Sequence, residues 1–180
     1  MVTEILRYGL KLSRLTEDKI EMIRQWRNSP EIQQYMIYRD HITSEMQKAW
    51  FARINNEHNY YFLLSLDGRE IGVMNLKDID YQAKTAEKGS LIWDISLRGK
   101  GIGTKANVMI LDFAFNDLEL NSVRIEILPE NIRSIKANIK FGFIHCAEIS
   151  SKLYILTKEN YYKHRQEIVN MFSSDVIFAK

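Results

Sequence analysis

Seven residues, Arg98-Gly99-Lys100-Gly101-Ile102-Gly103-Thr104, organise this sequence. The apolar run Leu91-Ile92-Trp93-Asp94-Ile95 precedes them, and Ile102, Ala106, Met109, Ile110, Phe113 and Ala114 follow at helical spacing. Val108, Leu111 and Phe115 make that helix apolar on more than one side, so the order is strand, glycine-rich turn, buried helix. Glycines at 99, 101 and 103 allow positive φ and keep Cβ atoms out of the way. The first N–H groups of a helix have no intrahelical acceptor, and the dipole behind them favours an anion, so this start is a site for a phosphate or pyrophosphate. The glycines run G-x-G-x-G, which is neither the dinucleotide spacing G-x-G-x-x-G nor a P-loop.

A second stretch, Asn131 to Phe143, follows a β-type run from Ser122 to Leu128. On a helix, Ile132, Ile135 and Ile139 share one face and Arg133, Lys136 and Lys140 another. Asn131, Ser134 and Asn138 form a third, polar face. Taken singly, Asn131 is an N-cap, Ser134 a solvated serine and Gly142 a helix stop.

Together the two stretches resemble the GNAT N-acetyltransferase superfamily. Arg98 to Gly103 fits its pyrophosphate pattern R/Q-x-x-G-x-G/A, and Asn131 to Phe143 its pattern N-x-x-S/A-x-x-x-Y/N-x-x-x-G-F. The resemblance implies an α+β fold: a mixed, mostly antiparallel twisted sheet of about seven strands flanked by helices, with central strands 87–95 and 122–128 splayed apart. It implies acetyl-CoA as cosubstrate and no metal. The amides of Gly99, Lys100, Gly101, Ile102, Gly103 and Thr104 would bind the diphosphate, with Arg98 and Lys100 adding charge. Backbone groups near Trp93 and Ile95 would hold pantetheine, an N–H near Trp93 would polarise the acetyl carbonyl, and Asn131 and Asn138 would sit beside pantetheine and the acetyl group. Asn138 stands where the family commonly has a tyrosine that protonates the thiolate; a carboxamide does not titrate there, so Ser134 or a water would have to help. Glu126 and Glu87 are the candidate bases on the splayed strands.

The N-terminal third carries Trp26-Arg27-Asn28-Ser29-Pro30-Glu31-Ile32. Arg27 shares an azimuth with Ile20 and Ile23, and an arginine along an apolar face needs a partner, such as Glu31, or a ligand. The string resembles the GNAT subgroup of aminosugar-nucleotide N-acetyltransferases (PseH-like) and the opening of the ribosomal-protein N-terminal acetyltransferases (RimJ/RimL-like). It places Arg27, Asn28, Tyr38 and Trp50 at the acceptor. The expected activity is transfer of acetyl to a primary amine by direct attack, with an aminosugar nucleotide as first acceptor. A protein N-terminus is the alternative enzyme reading, and a non-catalytic acyl-CoA-binding module the other.

The chain of 180 residues, with 46% hydrophobic and 27% charged residues and net charge +2, reads as a single domain. Residues 1–58 form its acceptor side, 59–143 its acetyl-CoA core and 144–180 the closing strands and helix. Basic residues are scattered, which disfavours nucleic acid. One cysteine and four dispersed histidines show no metal spacing. No signal-like or membrane-spanning run is present, so a cytoplasmic monomer or homodimer is expected. Strands are expected at 4–12, 60–66, 70–79, 87–95, 122–128, 143–149 and 152–157. Helices are expected at 16–28, 31–36, 43–55, from Ile102, from Asn131 and at 160–171; Asp67-Gly68 marks a hairpin.

Overall fold

The computed structural model describes residues 2–174. Met1 and the tail 175–180, whose pattern favours neither helix nor strand, lie outside the described residues. Eight strands form one sheet: β1 (Glu4–Arg7), β2 (Leu10–Arg14), β3 (Tyr60–Leu66), β4 (Arg69–Asp80), β5 (Thr85–Ile92), β6 (Ser122–Glu126), β7 (Ile144–His145) and β8 (Leu153–Thr157). Their spatial order is β1-β2-β3-β4-β5-β6-β8-β7. Every pairing is antiparallel except β5 with β6. The helices are α1 (Ile20–Asn28), α2 (Pro30–Gln33), α3 (Ser44–Ile54), α4 (Ile102–Asp112), α5 (Ile132–Ile139) and α6 (Lys158–Ser174).

Sheet alternation separates two apolar layers. Phe62, Leu64 and Met74 pack with α4 and α6 on one face. Leu63, Val73, Leu91 and Trp93 pack with α1, α2 and α3 on the other. Thr43 caps α3 by accepting from the Met46 N–H at 3.2 Å, as the sequence suggests. Asp67 and Gly68, at φ 49° and 77°, make the β3–β4 turn.

The expected strand 4–12 is instead a hairpin, which adds the eighth strand. Tyr8 and Gly9 take φ 55° and 74°, the pair of positive values a two-residue type I′ turn demands. Reversing the chain there swaps the inward parity. Ile5 lies opposite Leu12, and Leu6, which simple alternation groups with Leu10, is 66% exposed. The expected strand 143–149 shrinks to Ile144–His145, because the Ile149 and Ser150 amides both donate to the Cys146 carbonyl at 3.0 Å and turn the chain. The strand expected to reach Ile95 stops at Ile92: Asp94 accepts from the Ser96 N–H at 3.0 Å and starts a single 3-10 turn, Ile95–Leu97.

The feature that positions the site is the incomplete β5–β6 seam. These strands pair at Thr85↔Ser122, Ala86↔Val123 and Glu87↔Arg124 and then part. β6 keeps β8 on its far side as far as Glu126↔Leu153, and β5 keeps β4 as far as Gly72↔Ile92. The sheet therefore opens in a V between residues 88–92 and 125–128.

Candidate active site

At the mouth of the V, Gly99 and Gly101 take φ 78° and 74°. A Cβ at either would meet nothing within 4 Å, so backbone conformation, not crowding, calls for glycine there. The Lys105 N–H donates to the Gly101 carbonyl at 3.0 Å, the first α-helical bond of α4. The amides of Ile102, Gly103 and Thr104 precede it and have no carbonyl a turn back to accept from them. Arg98 lines the same opening and makes no ion pair among the described residues. Lys100 spends its amide on the Leu97 carbonyl at 3.3 Å, and Ile102 turns its side chain into the main core. Lys100 and Ile102 thus stand apart from the cleft-lining residues Gly99, Gly101, Gly103 and Thr104.

From this mouth a cleft of about 1320 Å³ runs down the V and through to the α1–α3 side of the sheet, more than the ~300–1,000 Å³ of a single small-ligand pocket. The backbone edge it exposes is one residue out of step with the expectation. The Trp93 N–H donates to the Ile71 carbonyl at 3.1 Å. Alternation in an antiparallel ladder then turns the N–H and C=O of Ser90 and Ile92 away from β4, towards the parted strand. Trp93 itself is buried, its ring N–H donating to the Glu70 carbonyl at 3.2 Å and its face stacked on Trp26. It is a core residue of the α1–α3 layer. Ile95 is exposed on the 3-10 turn, and its carbonyl accepts from the Arg98 N–H at 3.1 Å.

On α5, Asn131 caps the helix by accepting from the Ser134 N–H at 3.1 Å. Asn138, 7% exposed, donates to the Ser134 carbonyl at 2.9 Å, and its own carbonyl oxygen is buried without a partner. Asn107 on α4, which sequence reasoning missed, repeats the arrangement: it donates to the Gly103 carbonyl at 2.7 Å and buries an unpartnered oxygen. Asn131, Ser134, Asn138 and Asn107 all line the cleft. Orphaned buried acceptors are costly, so two of them beside an open strand edge fit a ligand that brings amide donors, as a pantetheine arm does.

The candidate bases differ in their commitments. Glu87 lies between Lys77 at 2.7 Å and Arg124 at 3.5 Å. Glu126 lines the cleft, exposed, on the same sheet face as Glu87, and has no partner among the described residues.

On the α1–α3 side, Arg27, Tyr38, Trp50 and Tyr61 line the cleft. Arg27 is half-buried, has no carboxylate within ion-pair range among the described residues, and leaves its Nε unpartnered. Glu31 is thus not its partner. Burial pulls the Arg27 pKa down from its ordinary value. Tyr61, which sequence reasoning also missed, meets Trp50 edge-on at 5.0 Å, and burial, then the charge of Asp78, pushes its phenol up to about 12. Asn28 does not join them. Its carboxamide clamps the Ile42 backbone, donating to the carbonyl at 2.8 Å and accepting from the N–H at 2.9 Å, which fixes the loop into α3. One helical position beyond Arg27 turns the Asn28 side chain by roughly 100°, away from the cleft.

Among the described residues no helix is long and apolar enough to cross a membrane, and no three His, Cys, Asp or Glu side chains gather to hold a metal ion.

Parted strands with one exposed edge, leading to bare amides at a helix start, form an acyl-CoA-dependent acyltransferase frame. The chain belongs to the GNAT acetyltransferase family: the model described as "Acetyltransferase (GNAT) domain" matches residues 10–144. It is an N-acetyltransferase that takes acetyl from acetyl-CoA to an amine. Among curated relatives, the acetyltransferase PseH of Campylobacter jejuni (strain 81-176) is 30% identical over 131 residues, 71% of this chain and 80% of that protein. Spermidine N(1)-acetyltransferase of Escherichia coli K12 is 23% identical over 149 residues, 82% and 80% of the two chains. Among solved structures, spermidine N-acetyltransferase of Vibrio cholerae, in complex with CoA and spermine, superposes with a TM-score of 0.76 at 18% identity, over 87% of this chain and 99% of that one.

Proposed function

We propose that the acceptor is an aminosugar nucleotide, or more generally a primary amine on a molecule that also carries an anion. Arg27 is the observation that carries this reading. A half-buried guanidinium, its Nε fully buried and with no carboxylate beside it, holds an unmatched positive charge on the acceptor side of the cleft. A polyamine such as spermidine would bring further positive charge against it, whereas a phosphate or carboxylate would pair with it in two-point geometry. Tyr38, Trp50 and Tyr61 offer ring surface beside it for a sugar or a base. The resemblance of the string Trp26 to Ile32 to the aminosugar-nucleotide subgroup supports the same acceptor class.

In this reading the amides of Gly101 to Thr104 hold the diphosphate of acetyl-CoA, with Arg98 adding charge. The edge of Ser90 and Ile92 and the carboxamides of Asn107 and Asn138 hold its arm. The Ser90 amide, the one of the two nearer the vertex of the V, polarises the acetyl carbonyl. The acceptor amine attacks in its neutral form, and Glu126, the unpaired carboxylate on that face, takes its proton through water.

A panel of UDP- and dTDP-aminosugars, spermidine and amino-terminal peptides, read by thiol release, tests the assignment. The aminosugar nucleotides should give the highest kcat/KM. Arg27→Met should raise their KM by about 10-fold or more with little change in kcat, and fold normally, because it removes a half-buried charge that has no ion-pair partner. Faster turnover of spermidine than of every aminosugar nucleotide would overturn the reading.

A further inference from the structure

Lys88 has no role in the account above. It is the first residue of β5 past the last β5–β6 pair, Glu87↔Arg124, and so stands where the strands part. Alternation puts it on the face of Ala86 and Ile92, which pack in the layer of α4 and α6, and opposite Glu87. Its side chain lines the cleft, yet the residue is only 4% exposed. Its ammonium has no hydrogen bond or ion pair among the described residues; the ring of Phe143 lies 5.9 Å from Nζ.

The charged groups nearby are committed, of the wrong sign or on the other face of the sheet; Glu126, without a partner among the described residues, is on the face of Glu87. Glu87 faces the other way with Lys77 and Arg124. Asp112, at the far end of α4, is held by Arg7 and Arg165. Cleft-lining Arg133 and Lys136 on α5, and Lys140 just past its end, are cations. The two buried carboxamides, Asn107 and Asn138, present carbonyl oxygens that do not titrate. An unpaired buried cation costs stability, which marks Lys88 as a candidate functional group.

Its position fixes what it would meet. From Ile92 to Lys88 the strand runs roughly 13 Å back from the glycine loop to the vertex of the V. A donor anchored by its diphosphate at the loop and extended along β5 brings its far end, the sulfur, to that vertex. We infer that Lys88 is the proton donor to the thiolate of coenzyme A as the thioester carbon–sulfur bond breaks. The new bond joins the acceptor nitrogen to the acetyl carbon, and the sulfur keeps the electron pair of the broken bond. One N–H proton of the Lys88 ammonium passes to that sulfur. The proton lost by the acceptor amine, taken up by Glu126 and passed on through water, restores the ammonium, so the sum is amine plus thioester to amide plus thiol. Burial pulls the Lys88 pKa from its ordinary 10.5 to about 8, close to the ~8.5 of a thiol, so the transfer is nearly balanced in either direction.

This inference rests on binding of coenzyme A in the cleft, and its test separates the two. The thiol of bound coenzyme A is titrated by the ultraviolet absorbance of its thiolate, in wild type and in Lys88→Met, with no acceptor present. In wild type the bound thiol should titrate about one unit or more below its free value, because the ammonium favours the thiolate. In Lys88→Met that depression should vanish, acetyl-CoA affinity should stay within about threefold, turnover should fall on the order of 100-fold, and the melting temperature should rise. A bound thiol that titrates alike in both proteins overturns the assignment of Lys88 alone. Mass spectrometry that finds an acetyl group on Lys88 during turnover also overturns it, by making Lys88 a nucleophile. If wild type binds no coenzyme A, the donor site itself is wrong and Lys88 loses its substrate.

Discussion

Asp112→Ala should destabilise the protein by about 3–5 kcal/mol, the cost of breaking a buried ion pair from one side. Asp112 ends α4 with its side chain 3% exposed. Four donor contacts converge on it: Arg165 Nε at 2.6 Å and Nη2 at 2.7 Å, the Tyr161 hydroxyl at 2.8 Å and Arg7 Nη1 at 3.1 Å. It thereby ties α4 to α6 and to the turn of the β1–β2 hairpin. The hydrogen bond to Asp112 holds the Arg165 guanidinium well above its ordinary pKa, and burial, followed by the Asp112 charge, pushes the Tyr161 phenol well up. Without the carboxylate, a mostly buried guanidinium and a buried hydroxyl lose their main acceptor. Against a typical total of about 5–15 kcal/mol the loss is a large fraction. Urea midpoints with unchanged slope would measure it. Asp112→Asn, which keeps the shape and one acceptor, should fall between wild type and Asp112→Ala. A loss below about 1 kcal/mol in Asp112→Ala would show that the cluster is not what joins these elements.

Gly101→Glu should reduce acetyl-CoA affinity by at least about 100-fold while the protein still folds. The two effects separate because they act through different groups. Gly101 sits at φ 74°, so any side chain there carries roughly 1–2 kcal/mol of backbone strain, but its Cβ enters open space. A carboxylate at a helix start also interacts favourably with the dipole, which offsets part of the strain. The same carboxylate occupies the place proposed for the diphosphate, and juxtaposed like charges cost several kcal/mol. Calorimetric titration with acetyl-CoA, beside a thermal melt, reads both quantities. Gly103→Ala is the control: its Cβ would lie 3.6 Å from Ile92 Cδ1, an ordinary contact, and alanine favours the helix, so stability should hold or rise. Unchanged affinity in Gly101→Glu would remove the loop from the donor site.

Local features were readable in the sequence, and features set by pairing were not. The glycine loop, the buried helix behind it and the Asn131 cap depend on neighbours within a turn or two, so their signals lie in contiguous residues. The Tyr8–Gly9 turn escaped because period-2 alternation runs straight through a two-residue reversal, although Gly9 marked it. The parity of β5 could not be fixed without its partner. Only the bond from the Trp93 N–H to Ile71 shows which amides face the opening, and it moves the exposed edge from Trp93 and Ile95 to Ser90 and Ile92. Arg27 was singled out by its apolar azimuth, but whether a carboxylate met it depended on how α2 turns after Ser29-Pro30. Lys88 left a legible trace, a lysine on the parity of Ala86 and Ile92, yet its isolation follows from where β6 departs.

The two stacked indoles have a practical corollary. Trp26 and Trp93 lie 5.6 Å apart and within 7° of parallel, and Trp50, the remaining tryptophan, meets Tyr61 edge-on. All the tryptophan emission of the chain therefore originates in the wall between the sheet and α1–α3, one residue away from the Ile92 edge and directly beside Arg27. Intrinsic fluorescence and near-ultraviolet circular dichroism should report occupancy of either half of the cleft without a label, and a Trp50→Phe variant would assign the signal to one half or the other.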